Sequence, residues 1–158
     1  MQFLIDTHCW LWAITSPERL KPRALDLIKS KDNRVVFSAV SAVEIAVKFS
    51  IAKLRLPEPP EVFVGSRMAS LAMTPLPIEI DHALRVALLP LLHRDPFDRL
   101  LVAHSQTERL PLMTADREIA AYDVTIHWAG GGQPPRRSPN QHSRETRPAG
   151  PPLRHARS

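Results

Sequence analysis

The sequence predicts an α/β fold in which a mostly parallel central β-sheet is flanked by helices. Short apolar runs of strand length alternate with longer helical patterns along the chain, which is typical of βαβ units. The chain has 158 residues, which is enough for one domain with a sizeable core. It contains no internal repeat. These observations favour one layered domain over an array or a bundle.

The first half of the chain opens with the apolar run QFLI, whose composition predicts a buried strand. Ser16 followed by Pro17 is an N-cap with proline in the first helical turn, which predicts the start of a helix. Ser41 is a second candidate N-cap. The predicted elements are a strand at 2–5, a helix at 8–14, a helix at 17–31, a strand at 34–38 and a helix at 41–53.

The second half begins after three prolines, Pro57, Pro59 and Pro60, which interrupt the helical pattern. Asp95-Pro96 marks another helix start, and short apolar runs return near the end of the pattern. The predicted elements are a helix at 61–73, an edge strand or loop at 75–78, helices at 79–92 and 97–109, a strand at 112–114, a short helix at 117–121 and a strand at 124–128.

The charge of the chain is distributed unevenly. The formal net charge is +5, yet residues 1–128 carry 15 Lys and Arg and 15 Asp and Glu. Residues 129–158 hold six arginines, one glutamate, six prolines and four glycines. Such a segment buries too little apolar surface to order itself, so we expect a domain at 1–128 and a disordered basic tail at 129–158. The tail is either a polycation that raises affinity for any nucleic acid, without adding sequence choice, or an incidental extension.

Cysteine content and hydropathy indicate the compartment. Cys9 is the single cysteine, so no intramolecular disulfide can form. No basic N-terminal region, cleavage site or apolar run of membrane-spanning length is present. We therefore expect a soluble, cytoplasmic protein.

Four acidic residues fall where strands end or helices begin in this prediction. They are Asp6, Glu44, Asp98 and Asp116. The carboxyl ends of parallel strands share one edge of a sheet, so these side chains can converge there. Crowded carboxylates repel one another unless a divalent cation neutralises them, and oxygen ligands favour Mg²⁺ or Mn²⁺.

Each of these residues also has a structural interpretation. Aspartates at helix starts are common caps, and Glu44 with Lys48 has the spacing of a helical ion pair. Arg99 can contact RNA phosphate or face solvent. His8 and His104 are candidate general acids or packing residues. Convergence of the four acids is what favours function over structure.

Four segments together resemble the PIN-domain family, and most closely its VapC-type toxin branch. They are LIDTHCWLW, SAVSAVEIAVK, HRDPFDRLLVAHS and LPLMTADREIAAYDVTIHW, in that order. The resemblance implies a PIN-like three-layer fold and an acidic pocket that holds Mg²⁺ or Mn²⁺. It implies Asp6, Glu44, Asp98 and Asp116 as catalytic and metal-binding residues, with Asp95 and Thr114 as auxiliary residues.

The resemblance also implies a function and partners. The expected activity is that of a metal-dependent endoribonuclease, the toxin of a type II toxin-antitoxin pair, which cleaves structured RNA such as tRNA or rRNA by water attack. The expected partners are a small antitoxin, whose C-terminal segment lies in a groove beside the acids, and a second copy of the chain. Trp10, Trp12, Val47 and Phe49 are candidates for lining that groove or for the core.

Three alternatives remain open at this point. A PIN nuclease of RNA processing would lack an antitoxin partner. A phosphoacceptor receiver domain also gathers acids at strand ends, but it requires a lysine near its last strand, and the chain has none after Lys53. A nucleic-acid-binding protein would act through the basic tail, with the acids in structural roles.

Overall fold

A computed structural model describes residues 1–135 of the chain. Within this range, five strands and six α-helices alternate, with 3₁₀ turns at Pro17–Arg19, Val86–Leu88 and Ile119–Ala121. The strands are β1 (Gln2–Ile5), β2 (Arg34–Ser38), β3 (Thr74–Leu76), β4 (Leu112–Thr114) and β5 (Ile126–Trp128). The helices are α1 (Thr7–Thr15), α2 (Pro22–Lys29), α3 (Ala39–Ser50), α4 (Pro60–Ser70), α5 (Ile80–Arg85) and α6 (Pro96–Glu108).

The sheet is parallel throughout and has the order β3-β2-β1-β4-β5. Its central strand, β1, pairs Phe3 with Val35 of β2 and Ile5 with Met113 of β4. The chain therefore builds outward from β1 in one direction through β2 and β3, and in the other through β4 and β5. This arrangement confirms the predicted α/β fold class.

Two hydrophobic clusters cover the two faces of the sheet. Successive residues of a strand point to opposite faces, and β1 accordingly places Phe3 and Ile5 in one cluster and Leu4 in the other. The first cluster packs against residues of α1, α2 and α4, including Trp10 and Phe63. The second is formed largely by α6 and the segments around it. The result is three layers with β1 buried between them.

Three predicted boundaries differ from the structure for local reasons. The helix predicted at 17–31 is a 3₁₀ turn followed by α2, because Lys21 precedes a proline and is extended. The helix predicted at 79–92 is α5 with a 3₁₀ turn, since Leu89 is extended before Pro90. The cap of α3 is Ser38, whose hydroxyl accepts from the backbone N–H of Val40, and not Ser41.

The ends of the described region add two findings. β3 is one of the two edge strands, which explains how it tolerates Pro75. Beyond β5, Ala129 is buried and its N–H donates to the carbonyl of Thr114. Residues 136–158, most of the predicted basic tail, lie outside the described residues. No helix within residues 1–135 has the length and hydropathy that crossing a membrane would require.

The order of the strands creates a crevice beside β1, at the carboxyl edge of the sheet, where the four acids were expected. The chain leaves β1 towards β2 on one side, and it returns to β1's other side as β4. In open α/β sheets, ligands bind outside the carboxyl ends of strands at such a reversal of strand order. Asp6 directly follows β1, and Asp116 comes two residues after β4.

Candidate metal centre

Asp6 is buried at the carboxyl end of β1 and is held by two donors. Its Oδ1 accepts the backbone N–H of His8 at 3.2 Å, which makes it the N-cap of α1. Its Oδ2 accepts the hydroxyl of Thr114 at 2.8 Å. Burial raises the pKa of Asp6, although the contacts with Thr114 and His8 lower it in part. Asp6 is therefore both a cap and a member of the acidic cluster, and Thr114 ties β4 to it.

Glu44 is buried on α3 and forms an ion pair with Lys48, one turn further along the helix. Partial burial lowers the pKa of Lys48, but the hydrogen bond and the charge of Glu44 outweigh that effect, and the net shift is upward. The charges of Asp95 and Asp98 act in the same direction. The predicted ion pair is thus present, and it faces the other acids instead of open solvent.

Asp98 lies in the first turn of α6, among the charges of the other acids. Its pKa is raised to about 8, first by burial and then by the charges of surrounding acids, which are Asp6, Asp95, Glu44 and Asp116. Asp95 is the N-cap of α6, and its Oδ1 accepts the N–H groups of Phe97 and Asp98. The four predicted acids therefore interact with one another through their charges.

Asp116 is more open than the other three acids, with 38% of its side chain exposed. Its Oδ1 accepts the backbone N–H groups of Glu118 and Ile119 at 2.7 and 3.2 Å. Its backbone N–H donates to the hydroxyl of Thr114 at 3.0 Å. Thr114 thereby bridges Asp6 and Asp116, and the Oδ2 atom of Asp116 faces the cluster.

His93 is a site residue that the sequence analysis missed. Its Nε2 lies 3.0 Å from Oδ2 of Asp98 and 3.8 Å from Oδ2 of Asp116. Among residues 1–135, potential ligand atoms of His93, Asp98 and Asp116 lie within 4.8 Å of one another. The signal in the sequence was the histidine that opens HRDPFD, five residues before Asp98.

Arg99 has a different role from the RNA contact that the sequence suggested. Its guanidinium is buried and donates to the carbonyl groups of Val86, Leu89 and Pro90 at 2.8 to 3.3 Å. It also donates to the hydroxyl of Tyr122 at 3.2 Å. These contacts direct Arg99 into the loop before α6, where it fixes the backbone that leads to His93.

The two candidate general acids lie in different environments. His104 is fully buried, its Nδ1 is 3.0 Å from the hydroxyl of Ser38, and burial together with His82 lowers its pKa to about 4. It is therefore a packing residue. His8 is half exposed and lies 4.0 Å from Asp6, at the mouth of the cluster.

A groove of about 580 Å³ runs beside Glu44 between α1, α3 and residues 53–56. Leu11, Trp12, Leu54 and Leu56 form its apolar lining, and Arg19, Lys48, Lys53 and Arg55 are its cations. Trp10 does not contribute, because it is fully buried against Phe37 and Phe63. Of the four candidates from the sequence, Trp12 lines this groove and Trp10 belongs to the core. Val47 and Phe49 do neither, because both side chains are exposed and lie outside the groove lining and the two hydrophobic clusters.

The donor set fits a divalent cation of the Mg²⁺ type. Four carboxylates from separate elements lie close enough that their charges act on one another, and burial together with the charges of Asp6, Glu44 and Asp116 raises the pKa of Asp98. Carboxylate oxygens are the ligands that Mg²⁺ and Mn²⁺ prefer. Asp6, Glu44, Asp98 and Asp116 are the residues that would hold such a cation.

Several solved structures share this fold. VapBC2 from Rickettsia felis, solved with a DNA fragment from its promoter, matches with a TM-score of 0.63 and 15% identity over 82% of this chain and 99% of that chain. A toxin-antitoxin complex from Klebsiella pneumoniae has a TM-score of 0.55 and 18% identity, covering 79% and 95%. FitAcB from Neisseria gonorrhoeae has a TM-score of 0.53 and 22% identity, covering 80% and 96%.

A comparison of sequences extends the comparison of folds. No curated protein matches the chain. The sequence pattern of the PIN domain, however, matches residues 3–124, which span β1 to the residues just before β5 and include all four acids. The chain therefore belongs to the PIN domain family, a family of nucleases.

Proposed function

We propose that this protein is a metal-dependent endoribonuclease and the toxin of a type II toxin-antitoxin pair. The observation that carries the proposal is the convergence of Asp6, Glu44, Asp98 and Asp116 on one crevice of a PIN domain. Burying several carboxylates together is unfavourable unless a cation neutralises them. The toxin role is supported by the likeness in fold to chains of toxin-antitoxin complexes.

The proposed reaction is the hydrolysis of a phosphodiester bond in structured RNA, such as tRNA or rRNA. Water attacks the phosphorus and the bond to the 3′ oxygen breaks, which leaves a 5′-phosphate and a 3′-hydroxyl. A bound Mg²⁺ or Mn²⁺ supplies Lewis acidity and a lowered pKa of water. Asp6, Glu44, Asp98 and Asp116 hold the cation, and Thr114 orients two of them. His8, half exposed beside Asp6, is positioned to protonate the leaving oxygen.

The groove beside Glu44 is the proposed site for the C-terminal segment of a small antitoxin. It offers apolar side chains for anchoring and three cations that are exposed, Arg19, Lys53 and Arg55. A segment with apolar and acidic residues complements this lining. An arginine at its end would reach the carboxylates, for which a guanidinium is well suited.

A second copy of the chain is the proposed occupant of an apolar stripe on the opposite part of the chain. Ile80, Leu84 and Leu88 follow one another at four-residue spacing, and Leu91 continues the stripe. Their exposed fractions run from 66% to 90%, which is high for side chains of this size. Contiguous exposed apolar side chains mark interaction surfaces.

Asp98→Asn is expected to reduce RNA cleavage by more than about 100-fold, since even the outer partners of metal ligands are worth about 10- to 100-fold. It should also stabilise the metal-free protein at pH 8. The pKa of Asp98 is higher in the folded chain than in the unfolded chain, so its contribution to stability is full below about pH 4 and is lost as pH rises through about 8. Cleavage assays and thermal melts with Asp26→Asn, an exposed control on α2, measure both effects. Wild-type cleavage by Asp98→Asn would contradict the assignment.

Cation binding is expected to release a proton and to strengthen with pH. Without a cation, Asp98 is protonated at pH 7 because its pKa is about 8, and the cation must displace that proton. Affinity for Mg²⁺ should therefore rise from pH 6 to about 8 and then level off. Calorimetry in buffers of different ionisation enthalpy counts the released proton, and excess EDTA should abolish cleavage. A flat pH profile or cleavage in EDTA would exclude this mechanism.

Lys53→Glu combined with Arg55→Glu is expected to weaken antitoxin binding by about 10-fold or more, because rim charges that complement a partner are reversed. Both side chains are exposed, so the fold should be unaffected. Calorimetry with the product of any small open reading frame that adjoins this gene, using Asp98→Asn as background to prevent cleavage, gives the affinity. Lys31→Glu, which reverses the charge of an exposed side chain before β2, is the matched control. Equal affinity in both variants would place the partner elsewhere.

Leu84→Arg is expected to convert a dimer into a monomer, because it places a charge in the middle of the apolar stripe. Light scattering coupled to size exclusion measures the mass, with Val62→Arg on exposed α4 as the control. A wild-type protein that is monomeric at micromolar concentration would contradict the proposed dimer.

A further inference from the structure

His93 stands among the carboxylates but outside every helix and strand. Its side chain is 11% exposed, and its Nε2 lies 3.0 Å from Oδ2 of Asp98 and 3.2 Å from Oε2 of Glu118. Because Oδ2 of Asp116 is also near, His93 has the position of a metal ligand. It also has the position of a hydrogen-bond donor to an acid. The partner of its other ring nitrogen distinguishes these two roles.

The Nδ1 atom of His93 accepts the backbone N–H of Asp95 at 3.0 Å. A ring nitrogen that accepts a hydrogen bond carries a lone pair and no proton, so the proton of the neutral ring is on Nε2. A protonated nitrogen cannot bind a cation. Nε2 lies 3.0 Å from Oδ2 of Asp98 and 3.2 Å from Oε2 of Glu118, so its proton is within reach of these carboxylates, and in this tautomer His93 is unsuited to be a ligand.

The backbone of His93 is fixed from the opposite side. Its N–H donates to the hydroxyl of Tyr122 at 3.0 Å, and the same hydroxyl accepts from Arg99 at 3.2 Å. Arg99 in turn donates to the carbonyl groups of the loop that leads to His93. Ring and backbone are therefore held by separate partners, which keep Nε2 beside the carboxylates.

Every other acid of the cluster has a donor of its own. Asp6 accepts from Thr114 and His8, Glu44 accepts from Lys48, and Asp116 accepts from the backbone after it. Beside Asp98, the nitrogen in the corresponding place is Nε2 of His93, 3.0 Å from Oδ2. Hydrogen bonds of this kind orient carboxylate ligands and leave the second oxygen for the metal.

We propose that His93 is a positioning residue that donates from Nε2 to Oδ2 of Asp98, and so presents the other oxygen of Asp98 to the cation without binding the cation itself. The proposal rests on the proposed function, because it concerns the same cation. In this proposal the residues from His93 to Asp98 act together. The N–H of Asp95 bonds to Nδ1 and thereby selects the tautomer of the His93 ring, and the ring in turn orients the side chain of Asp98.

Two substitutions separate the functions of the two ring nitrogens. In His93→Gln the amide nitrogen reaches the position of Nε2, which keeps a donor towards Asp98. In His93→Asn the amide oxygen reaches the position of Nδ1, which keeps the acceptor for Asp95 and removes the donor. Calorimetric titration with MnCl₂ in the absence of RNA gives cation affinity independently of cleavage. Melting curves establish that both variants fold.

The expected result is that His93→Gln binds Mn²⁺ within about 3-fold of wild type, whereas His93→Asn loses about 10- to 100-fold, the range for partners of metal ligands. The loss in cleavage by His93→Asn should appear in kcat at a fixed Mg²⁺ concentration, with KM for RNA little changed. Nitrogen NMR of the wild-type ring should show the Nε2–H tautomer both before and after addition of MgCl₂.

Other outcomes overturn the proposal in different ways. Equal losses in both variants, with disappearance of the Nε2–H signal on MgCl₂ addition, would make His93 a ligand. If His93→Asn bound Mn²⁺ with wild-type affinity and His93→Gln bound it more weakly, the role of His93 would be limited to anchoring the loop through Nδ1. If wild-type protein binds no cation, the proposed function fails and the role of His93 falls with it. If wild type binds the cation and only this ranking fails, the proposed function stands.

Discussion

Repulsion among buried carboxylates is the constraint on which the rest of this structure depends. Two unit charges about 4 Å apart repel by about 4 kcal/mol at an effective dielectric constant of about 20. Domains of this kind are stable by only about 5 to 15 kcal/mol. The chain moderates the repulsion with donors such as Thr114 and Lys48, but burial and the neighbouring acids still raise the pKa of Asp98 to about 8. A cation that bound among these acids would relieve the repulsion, and the relief would add to its affinity.

The sheet supplies the rigidity that such a cluster requires. β1 is the central strand, and hydrophobic clusters cover both of its faces. Asp6 extends from this strand, and Thr114 reaches it from β4, the neighbouring strand. The acids that come from helices, Glu44 and Asp98, are positioned by α3 and α6, which pack against each other. The central strand of the sheet, buried over residues 3–5, thus leads directly into the acidic cluster.

The sequence was sufficient for those features that depend on local pattern. β1, β2 and β4 were recognisable as apolar runs, and the acids at their ends followed from the parallel topology. The sequence was not sufficient to predict the features that depend on the direction in which a side chain points. Arg99 follows Asp98 on a helix, and adjacent helical residues point about 100° apart, so Arg99 faces the loop while Asp98 faces the site. Trp10 and Trp12 differ in the same way, one in the core and one in the groove.

His93 shows a second limit of inference from sequence. It lies in no helix or strand, so no periodicity marks it. Its orientation depends on Tyr122, 29 residues away, through a backbone hydrogen bond. The identities of histidine and tyrosine do not indicate this contact. A histidine near aspartates can equally be a metal ligand or a hydrogen-bond donor to one of them. The tautomer could be assigned only when the partners of both ring nitrogens were known.

The hydrogen bond between Thr114 and Asp6 joins residues 108 positions apart, and it has a consequence for the order of events during synthesis. β1 leaves the ribosome first, but its partner β4 and the acid Asp116 emerge after nearly all of the domain has been made. A nascent chain that ends before residue 112 lacks one flank of β1 and part of the acidic cluster. Assembly of the centre therefore awaits the last part of the domain, and a growing chain that has not yet reached β4 lacks the arrangement of acids on which the proposed activity depends.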